Sequence, residues 1–462
     1  MHGNHQGRNE RRDNMASVAA NAVCPGGLTH PSEQCTQLYR LRDTFFPPNA
    51  GEKENKMRPV VKEIVVAVDA FVNDSTDGQA KKRADKAYGA YLKGKALSVF
   101  EVYDAEGEKH LSKSVKLDPS NIDAWNCLGE CFWKKQDFGT AKTCFEGALK
   151  QSRTRETLGL YSMLLRQIRP DNTSMVENIR ASIAAAKEAV SLGYSDAHSW
   201  YVLGNAYLGS FFNLAHDPAD LTRALKAYEN AEKHRDDGVN ALPDLFFNRA
   251  EVHSYLQNYN LAIQDYRRAG EVDPLGLQWE DCVKNLRKKV LRANELLRKR
   301  CGVKPKRLDA MCKAMLANQH HKAVVATSEK QESEKLRSKF VGVSSLNVGP
   351  NPGTVVPLSF LLPVVDARKL TPCLVMMCDR NQECVCVALY HVGYDRLDFF
   401  NSKHVYHVID PVVKIVELDN GPNGEAVKYP CIQVEHPNRL LRDGNLLSSF
   451  YTHATTIMKN KG

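Results

Sequence analysis

The sequence AWNCLGECFWKKQDFGTAKTCFEGALK, from Ala124 to Lys150, predicts the fold of the first half of the chain. Its large apolar residues recur at helical spacing, which predicts two helices joined by a turn. Gly129 and Ala141 are small and let the second helix approach the first closely. Because one such helix pair leaves an apolar face uncovered, we expect it to stack on neighbouring pairs.

The spacing is typical of a tetratricopeptide repeat, a helix pair of roughly 34 residues. Degenerate copies recur at Trp200–Ala231, with an insertion around residues 211–220, and at Phe246–Pro274. Weaker units lie at residues 94–119 and 155–193. The sequence therefore predicts an α-solenoid. The repeat's signature residues are Trp125, Leu128, Gly129, Phe132, Ala141, Phe145 and Ala148.

Length and composition are those of a globular protein of two or three domains. The chain has 462 residues, 43% of them hydrophobic and 25% charged. It contains no run of about 18 apolar residues, so neither a secretory signal nor a membrane span is predicted. Thirteen scattered cysteines fit a reducing compartment. We expect a cytoplasmic protein, a nuclear protein, or one found in both places, and no membrane partner.

Positive charge is concentrated in one segment. Lys284 to Arg307 contains eleven Lys and Arg residues against one acid, Glu295, while the whole chain has a net charge of +9. A solvated basic helix is one interpretation. A nucleic-acid partner is the other, since a phosphate backbone would complement so uneven a charge.

The chain is predicted to be an α+β multidomain protein. We expect a disordered tail at residues 1–30, the solenoid with a basic closing helix at 31–300, a basic linker at 301–340, an oligonucleotide-binding-fold-like β domain at 341–445 and a tail at 446–462. Short β-branched runs separated by turns predict five or six strands, and the linker has one short helix near 308–316. A small closed barrel is favoured because closure removes exposed edges, but another small barrel or a sandwich fits the same pattern.

The first helices of stacked pairs line a concave surface. Repeat positions predict that Asn205, Asp244, Asn248 and Glu251 face it, where amides can bind an extended backbone and acids a cationic group. These side chains are either solvated or bind a peptide, and such surfaces commonly hold extended peptides. We find no motif for phosphate binding, nucleophilic catalysis or zinc, so no enzyme activity, metal site or cofactor is predicted.

Several longer stretches resemble one family closely. They are SKSVKLDPSNIDAWNCLGECFWKKQDFGTAKTCFEGAL, SMLLRQIRPD, SWYVLGNAYL, PDLFFNRAEVH and GVKPKRL. The chain resembles the tetratricopeptide repeat protein 5 family over about residues 32–440. The resemblance implies a selectivity factor of tubulin autoregulation, which binds the nascent Met-Arg-Glu terminus of tubulin at the ribosome and triggers messenger RNA decay through decay adaptor proteins. It also implies a nuclear scaffold for stress-responsive transcription cofactors, with the basic segment as a localisation signal.

The same resemblance implies site residues. Arg166 would pair with the nascent Glu and Asp244 with the nascent Arg, while Lys304 and Lys306 would contact ribosomal RNA. Their basic neighbours Lys299, Arg300 and Arg307 belong to the predicted RNA-binding segment. The family's second acid falls on Gln278, so either Glu280 replaces it or the site has one strong acid. A third hypothesis, single-stranded nucleic-acid binding by the barrel, lacks aromatic residues, since Tyr390, Tyr406 and Tyr429 are too few.

Overall fold

The computed structural model describes most of the chain between residues 24 and 446. The described ranges are 24–49, 51–74, 79–168, 172–214, 217–235, 242–276, 278–317, 339–364, 372–390, 400–419 and 426–446. Most of both predicted tails and much of the predicted linker lie outside these residues.

Helices occupy the first two thirds of the described residues, as the repeat pattern predicts. Helix α1 begins at Thr29, inside the segment predicted as a tail. The helices are α1 (Thr29–Thr44), α2 (Glu52–Asp74), α3 (Gln79–Leu97), α4 (Ala105–Leu117), α5 (Ile122–Lys134), α6 (Phe138–Gln151), α7 (Arg155–Leu165), α8 (Asn172–Leu192), α9 (Ala197–Asn213), α10 (Pro218–Lys233), α11 (Pro243–Tyr255), α12 (Tyr259–Val272), α13 (Trp279–Arg298) and α14 (Pro305–Ala317).

Polar residues before the helices define where they begin. The Asn121 side chain accepts a hydrogen bond from the Ala124 amide at 3.0 Å, and Asp137 accepts one from Thr140 at 3.1 Å. Such caps satisfy amides that have no partner within the helix. They mark the start of both helices of the repeat that is centred on Gly129.

Adjacent helices of a repeat interlock through a glycine and an aromatic ring. A Cβ atom at Gly129 would lie 2.5 Å from the Phe145 ring, and one at Gly204 would lie 2.5 Å from the Tyr228 ring. Phe145 and Tyr228 are fully buried. The small and large positions of the repeat pattern are therefore halves of the same contact, which confirms the packing inferred from sequence.

The C-terminal residues form one mixed sheet. Its hydrogen-bonded path runs in the order β10-β9-β6-β3-β4-β5-β8-β7-β2, and β1 pairs with β3. Among the described residues the path is curled and open, whereas the sequence pattern favoured a closed barrel. The strands are β1 (Lys339–Phe340), β2 (Gly349–Pro350), β3 (Thr354–Pro363), β4 (Cys373–Cys378), β5 (Cys384–Leu389), β6 (Val405–Ile409), β7 (Val412–Leu418), β8 (Val427–Val434), β9 (Leu440–Arg442) and β10 (Asn445–Leu446).

Alternate residues of these strands form the core of the sheet. Val356 and Leu358 of β3 pack with Val387 of β5 and Val408 of β6 in one buried cluster. The residues between them are buried as well in β3, β4 and β5, so these strands form the continuous β-branched and apolar runs from which strands were predicted.

The described residues divide into two compact units. The first unit runs to Leu245 and includes Glu271–Gly276, and the second unit comprises Phe246–Gly270 and the residues from 278 onward. The division thus falls within α11. Most of the last repeat lies in the same unit as the sheet.

Buried polar contacts join the last repeat to the sheet inside the second unit. The Tyr390 hydroxyl donates to the Tyr255 carbonyl at 3.0 Å, and the Gln433 amide donates to Gln257 at 3.0 Å. Lys289 on α13 donates to the Pro372 carbonyl at 2.9 Å. Burial lowers the pKa of the Lys289 ammonium to about 8. We call these contacts the polar joint.

Helix α14 lies where a linker with one short helix was predicted. Its residues Leu308, Cys312 and Met315 are buried, and the Cys312 thiol lies 3.2 Å from the Asp379 carbonyl oxygen. No helix within the described ranges is long and apolar enough to span a bilayer.

Candidate functional site

A cavity of about 1160 Å³ opens on the first unit, and we call it the charged cavity. Residues of α1, α2 and α5 line it, together with the start of α11 and the residue after α12. Its wall carries charges of both signs. The charged side chains are Arg42, Asp43, Lys53, Glu54, Arg58, Lys62, Glu101, Asp104, Lys134, Asp244 and Asp273.

Most of these charges have partners. Arg42 pairs with Asp43 at 2.7 Å and Arg58 pairs with Glu54, while Lys134 donates to the Ser98 and Phe100 carbonyls. Asp244 differs: among the described residues no cation lies within 4 Å of its carboxylate. The cavity therefore contains a negative charge that is open to a ligand.

Asp244 is the second residue of α11 and is exposed to the cavity. Although its side chain reaches solvent, protein surrounds it on the other sides. Burial raises the pKa of the Asp244 carboxyl, and the charge of Asp273 raises it further. A cationic ligand would relieve both effects, since it would compensate two carboxylates at once.

Asp273 is a site residue that the sequence reasoning missed. It follows α12 and lines the charged cavity with Asp244. The resemblance places the family's second acid after Asp273-Pro274, at Gln278 or Glu280, and assigns no role to Asp273. The signal in the sequence was Asp273 itself, an acidic residue at the end of the last repeat.

Arg166 lies at the C-terminal end of α7 and is half-buried. Its guanidinium donates to the hydroxyls of Ser162 and Ser182, each at 3.2 Å. Burial lowers the pKa of Arg166 to about 10. No carboxylate in the described part of the chain lies within 4 Å of it, so its charge is held by neutral groups, which are the two hydroxyls and the Ser162 carbonyl at 3.4 Å. Arg166 is not among the residues that line the charged cavity. It therefore does not share that cavity with Asp244.

Gly209 on α9 makes room for this arginine. A Cβ atom at position 209 would lie 3.1 Å from Cδ of Arg166. The nearby Asn205 is buried and accepts a hydrogen bond from the Tyr228 hydroxyl at 2.7 Å. Asn205 thus supports the helices around Arg166, whereas its position in the repeat predicted direct contact with a peptide.

The remaining predicted peptide-binding residues lie in the second unit. Asn248 is half-buried on α11, and Glu251 accepts a hydrogen bond from the Tyr266 hydroxyl while burial raises the pKa of its carboxyl. Glu280 is exposed in the first turn of α13 and lines a separate basic groove of that unit. Glu280 therefore does not share the charged cavity with Asp244.

The predicted RNA-binding residues lie on and after the end of α13. Lys304, Lys306 and Arg307 are exposed, as are Lys299 and Arg300. Lys299 pairs with Glu295 at 2.7 Å. The segment presents a group of solvent-facing cations within about ten residues, as a phosphate-binding surface requires.

Among the residues that the structure describes, no group of three or more His, Cys, Asp or Glu could hold a metal ion. Asp244 can bind a cationic group of a ligand and Arg166 an anionic one. In the described residues neither side chain has an oppositely charged partner within 4 Å.

Comparison with known proteins relates both halves of the chain to one family. Residues 337–456 match the family model "Tetratricopeptide repeat protein 5 OB fold domain", and residues 243–274 match the model "Tetratricopeptide repeat". Human tetratricopeptide repeat protein 5 is 32% identical over 92% of this chain and 94% of its own length. The mouse protein of that name is 32% identical over 77% of this chain and 80% of its own length.

Solved structures are similar to part of the chain. The crystal structure of YrrB, described as a TPR protein with an unusual peptide-binding site, covers 45% of this chain and 98% of its own, with 18% identity and a TM-score of 0.31. The relationship therefore rests on sequence.

Proposed function

The chain belongs to the tetratricopeptide repeat protein 5 family, and we propose that it is a cytoplasmic, ribosome-associated adaptor that binds the nascent Met-Arg-Glu terminus of tubulin. Binding would select tubulin messenger RNA for decay by effector proteins that the adaptor recruits. The adaptor role itself follows from membership of this repeat family. The proposal involves no catalytic step.

The observation that carries the proposal is the uncompensated charge of Asp244 beside Asp273. Burial and the charge of Asp273 make ionisation of Asp244 costly, so the two carboxylates form a receptor for a cation, and the second residue of the peptide is an arginine. Arginine can bind two carboxylates through its planar set of donors.

Arg166 supplies the positive charge of the proposed peptide site. A guanidinium held only by neutral groups of Ser162 and Ser182 would gain a charge-assisted bond from the glutamate of the peptide. An extended peptide advances about 3.3–3.6 Å per residue, so neighbouring side chains with opposite charges need separate receptors. Asp244 and Arg166 are such receptors in different parts of the first unit.

The basic residues that follow α13 would act together with the peptide site. Lys304 and Lys306, with Arg307 beside them, would contact ribosomal RNA through its phosphates. Docking on the ribosome raises the local concentration of the emerging terminus, so two weak contacts give selective binding.

A double-mutant cycle tests the peptide site. We expect Asp244→Asn to weaken binding of a labelled Met-Arg-Glu peptide but to leave unchanged the weaker binding of Met-Ala-Glu, because both changes remove the same ion pair. Asp244→Lys should abolish Met-Arg-Glu binding. Glu229→Lys, an exposed change on α10, is the matched control and should bind normally. Unchanged peptide affinity in Asp244→Lys refutes the site.

Ribosome docking is tested separately by co-sedimentation. Lys304→Glu with Lys306→Glu should reduce ribosome association and flatten its dependence on salt, because each phosphate contact releases a counterion. The control pair Lys226→Glu and Lys233→Glu changes the net charge equally on α10 and should sediment like the unmodified protein. If both pairs sediment alike, the docking surface lies elsewhere.

A further inference from the structure

A second large cavity lies along α13 within the second unit, and we call it the α13 groove. Its volume is about 1610 Å³, which exceeds the roughly 300–1,000 Å³ of pockets for small molecules. Arg267 of α12 bounds it on one side, and Val364 and Val427 at the ends of β3 and β8 bound it on the other. Its size suits a segment of polypeptide.

The rim of the α13 groove is positively charged. Lys284, Lys288 and Arg292 follow one another at four-residue spacing, so they share one face of α13. Glu295 pairs with Arg292 at 2.8 Å and with Lys299 at 2.7 Å. For Lys284, Lys288 and Arg298, by contrast, the described ranges contain no carboxylate within 4 Å. The rim therefore has cations available for an acidic partner.

The floor of the groove is apolar. Val283 and Leu291 are half-buried on α13, and Val364 and Val427 are buried beside them. Half-buried aliphatic groups at the bottom of a cavity gain free energy when a partner covers them, at about 25 cal/mol per Å² of area. A partner thus needs apolar groups as well as negative charge.

These two requirements favour a peptide over a nucleic acid. Phosphates would match the rim but would leave Val283 and Leu291 uncovered. Trp279 is the aromatic residue of the lining, and its ring packs on Gly270, where a Cβ atom would lie 2.2 Å from it. That contact covers one face of the ring, so Trp279 offers a base at most one face, and a single ring is a small platform for a nucleic acid.

We infer that the α13 groove binds an acidic amphipathic helix of a partner protein. Leucine-type residues of that helix cover Val283 and Leu291, and its acids at four-residue spacing face Lys284, Lys288 and Arg292. Helix α13 has 20 residues and is about 30 Å long, enough to pair with five turns of a partner helix. This site is distinct from the charged cavity and from Lys304 and Lys306.

The test measures binding of defined probes to the full chain by fluorescence anisotropy. The main probe is a labelled ~18-residue helix of Glu, Ala and Leu, with Leu at every third or fourth position. A scrambled peptide, a peptide with Ser for Leu, and a single-stranded oligouridine of similar charge are the comparison probes. The variant is Lys284→Glu with Lys288→Glu, and Lys226→Glu with Lys233→Glu is its control.

We expect the amphipathic acidic peptide to bind at least about tenfold more tightly than the scrambled and Ser-containing peptides. The Lys284 and Lys288 reversals should weaken it about tenfold and the α10 control should not. Ribosome co-sedimentation should persist in the Lys284 and Lys288 variant, which separates this site from RNA docking.

Other outcomes overturn the inference. Absence of peptide binding, equal binding of the scrambled peptide, or full binding by the Lys284 and Lys288 variant would each show that no such site exists. Oligouridine that binds more tightly than the peptide and displaces it would assign the groove to nucleic acid.

Discussion

The two units of the molecule treat polar groups differently. In the first unit, helix pairs interlock through contacts such as Gly129 with Phe145, and ion pairs such as Arg153 with Glu188 lie at the surface. In the second unit, Arg249 and Asp265 form an ion pair whose side chains are only 8% and 6% exposed. Both units have apolar cores, which tolerate variation, and the second unit adds a buried ion pair whose directional bonds have few substitutes.

The difference explains where function can change. Apolar repeats carry polar residues on their concave side at little structural cost, so the charged cavity can hold unpaired groups such as Asp244. The polar joint of the second unit has its donors and acceptors committed to one another. In the second unit, a partner would therefore bind to the outer face of α13, whose cations are exposed.

The largest effect should follow from breaking the buried ion pair of the second unit. Arg249→Ala leaves the Asp265 carboxylate buried without its partner, and we expect a loss of about 3–5 kcal/mol in the free energy of unfolding. Hydrogen exchange resolved by peptide should show this loss as faster exchange in α11 and α12. The double change Arg249→Met with Asp265→Leu is the control and should recover most of the loss. A loss below about 1 kcal/mol would remove the contrast between the units.

Lys289 provides a pH-dependent comparison. Burial lowers the pKa of Lys289 from 10.5 to about 8. Between these pH values the unfolded chain binds a proton that the folded chain lacks. The contribution of Lys289 to stability therefore rises with pH. Lys289→Met should stabilise the second unit by about 2 kcal/mol below pH 8, after loss of the bond to Pro372.

This advantage of Lys289→Met should shrink as the pH rises toward 10.5. Urea unfolding of both proteins across this range measures it, and the difference between them cancels the titration of cysteines and tyrosines. An advantage that grows with pH would contradict the lowered pKa.

A smaller effect is expected in the charged cavity. Asp273→Asn removes one of the two carboxylates, and affinity for the Met-Arg-Glu peptide should fall about tenfold, or about 1.4 kcal/mol. It should also lower the pKa of Asp244, because the charge of Asp273 helps to raise it. Binding should then persist to lower pH in the variant, as calorimetry at several pH values would reveal. Unchanged affinity would leave Asp244 as the sole receptor for the arginine.

The smallest effect should come from the surface of the first unit. Glu188→Gln removes the partner of Arg153, and exposed pairs of this kind contribute about 0.2–1 kcal/mol. A thermal melt in low and high salt measures it, and the difference should vanish at high salt. A larger loss would mean that surface charge stabilises this unit as strongly as packing does.

Much of the fold is predictable because its rules are local. Gly129 and Phe145 stand at the spacing of the repeat signature, and the β-branched run from Val412 to Leu418 forms β7. The polar joint was not predictable, since Gln257 and Gln433 are 176 residues apart and neither has a distinctive neighbourhood. Strands of two or three residues, such as β1 and β10, are too short to show a period.

The site was predictable only in part. Asp244 was identified from family resemblance and lines a cavity, but its neighbour Asp273 follows from how the end of α12 meets the start of α11, which spacing along the chain does not encode. Asn205 was assigned to peptide contact because of its repeat position. Its bond to Tyr228 depends on the next helix, so the helix face alone could not predict it.

The attachment of the last repeat to the sheet limits how the array can change in length. Solenoids grow or shrink when a helix pair is duplicated or deleted, since each pair contacts only its neighbours. Here a pair inserted after α12 would have to reproduce the bonds of Tyr255 and Gln257 to Tyr390 and Gln433. We therefore expect homologous chains to differ in repeat number upstream of α11, while the terminal pair and the sheet are inherited together.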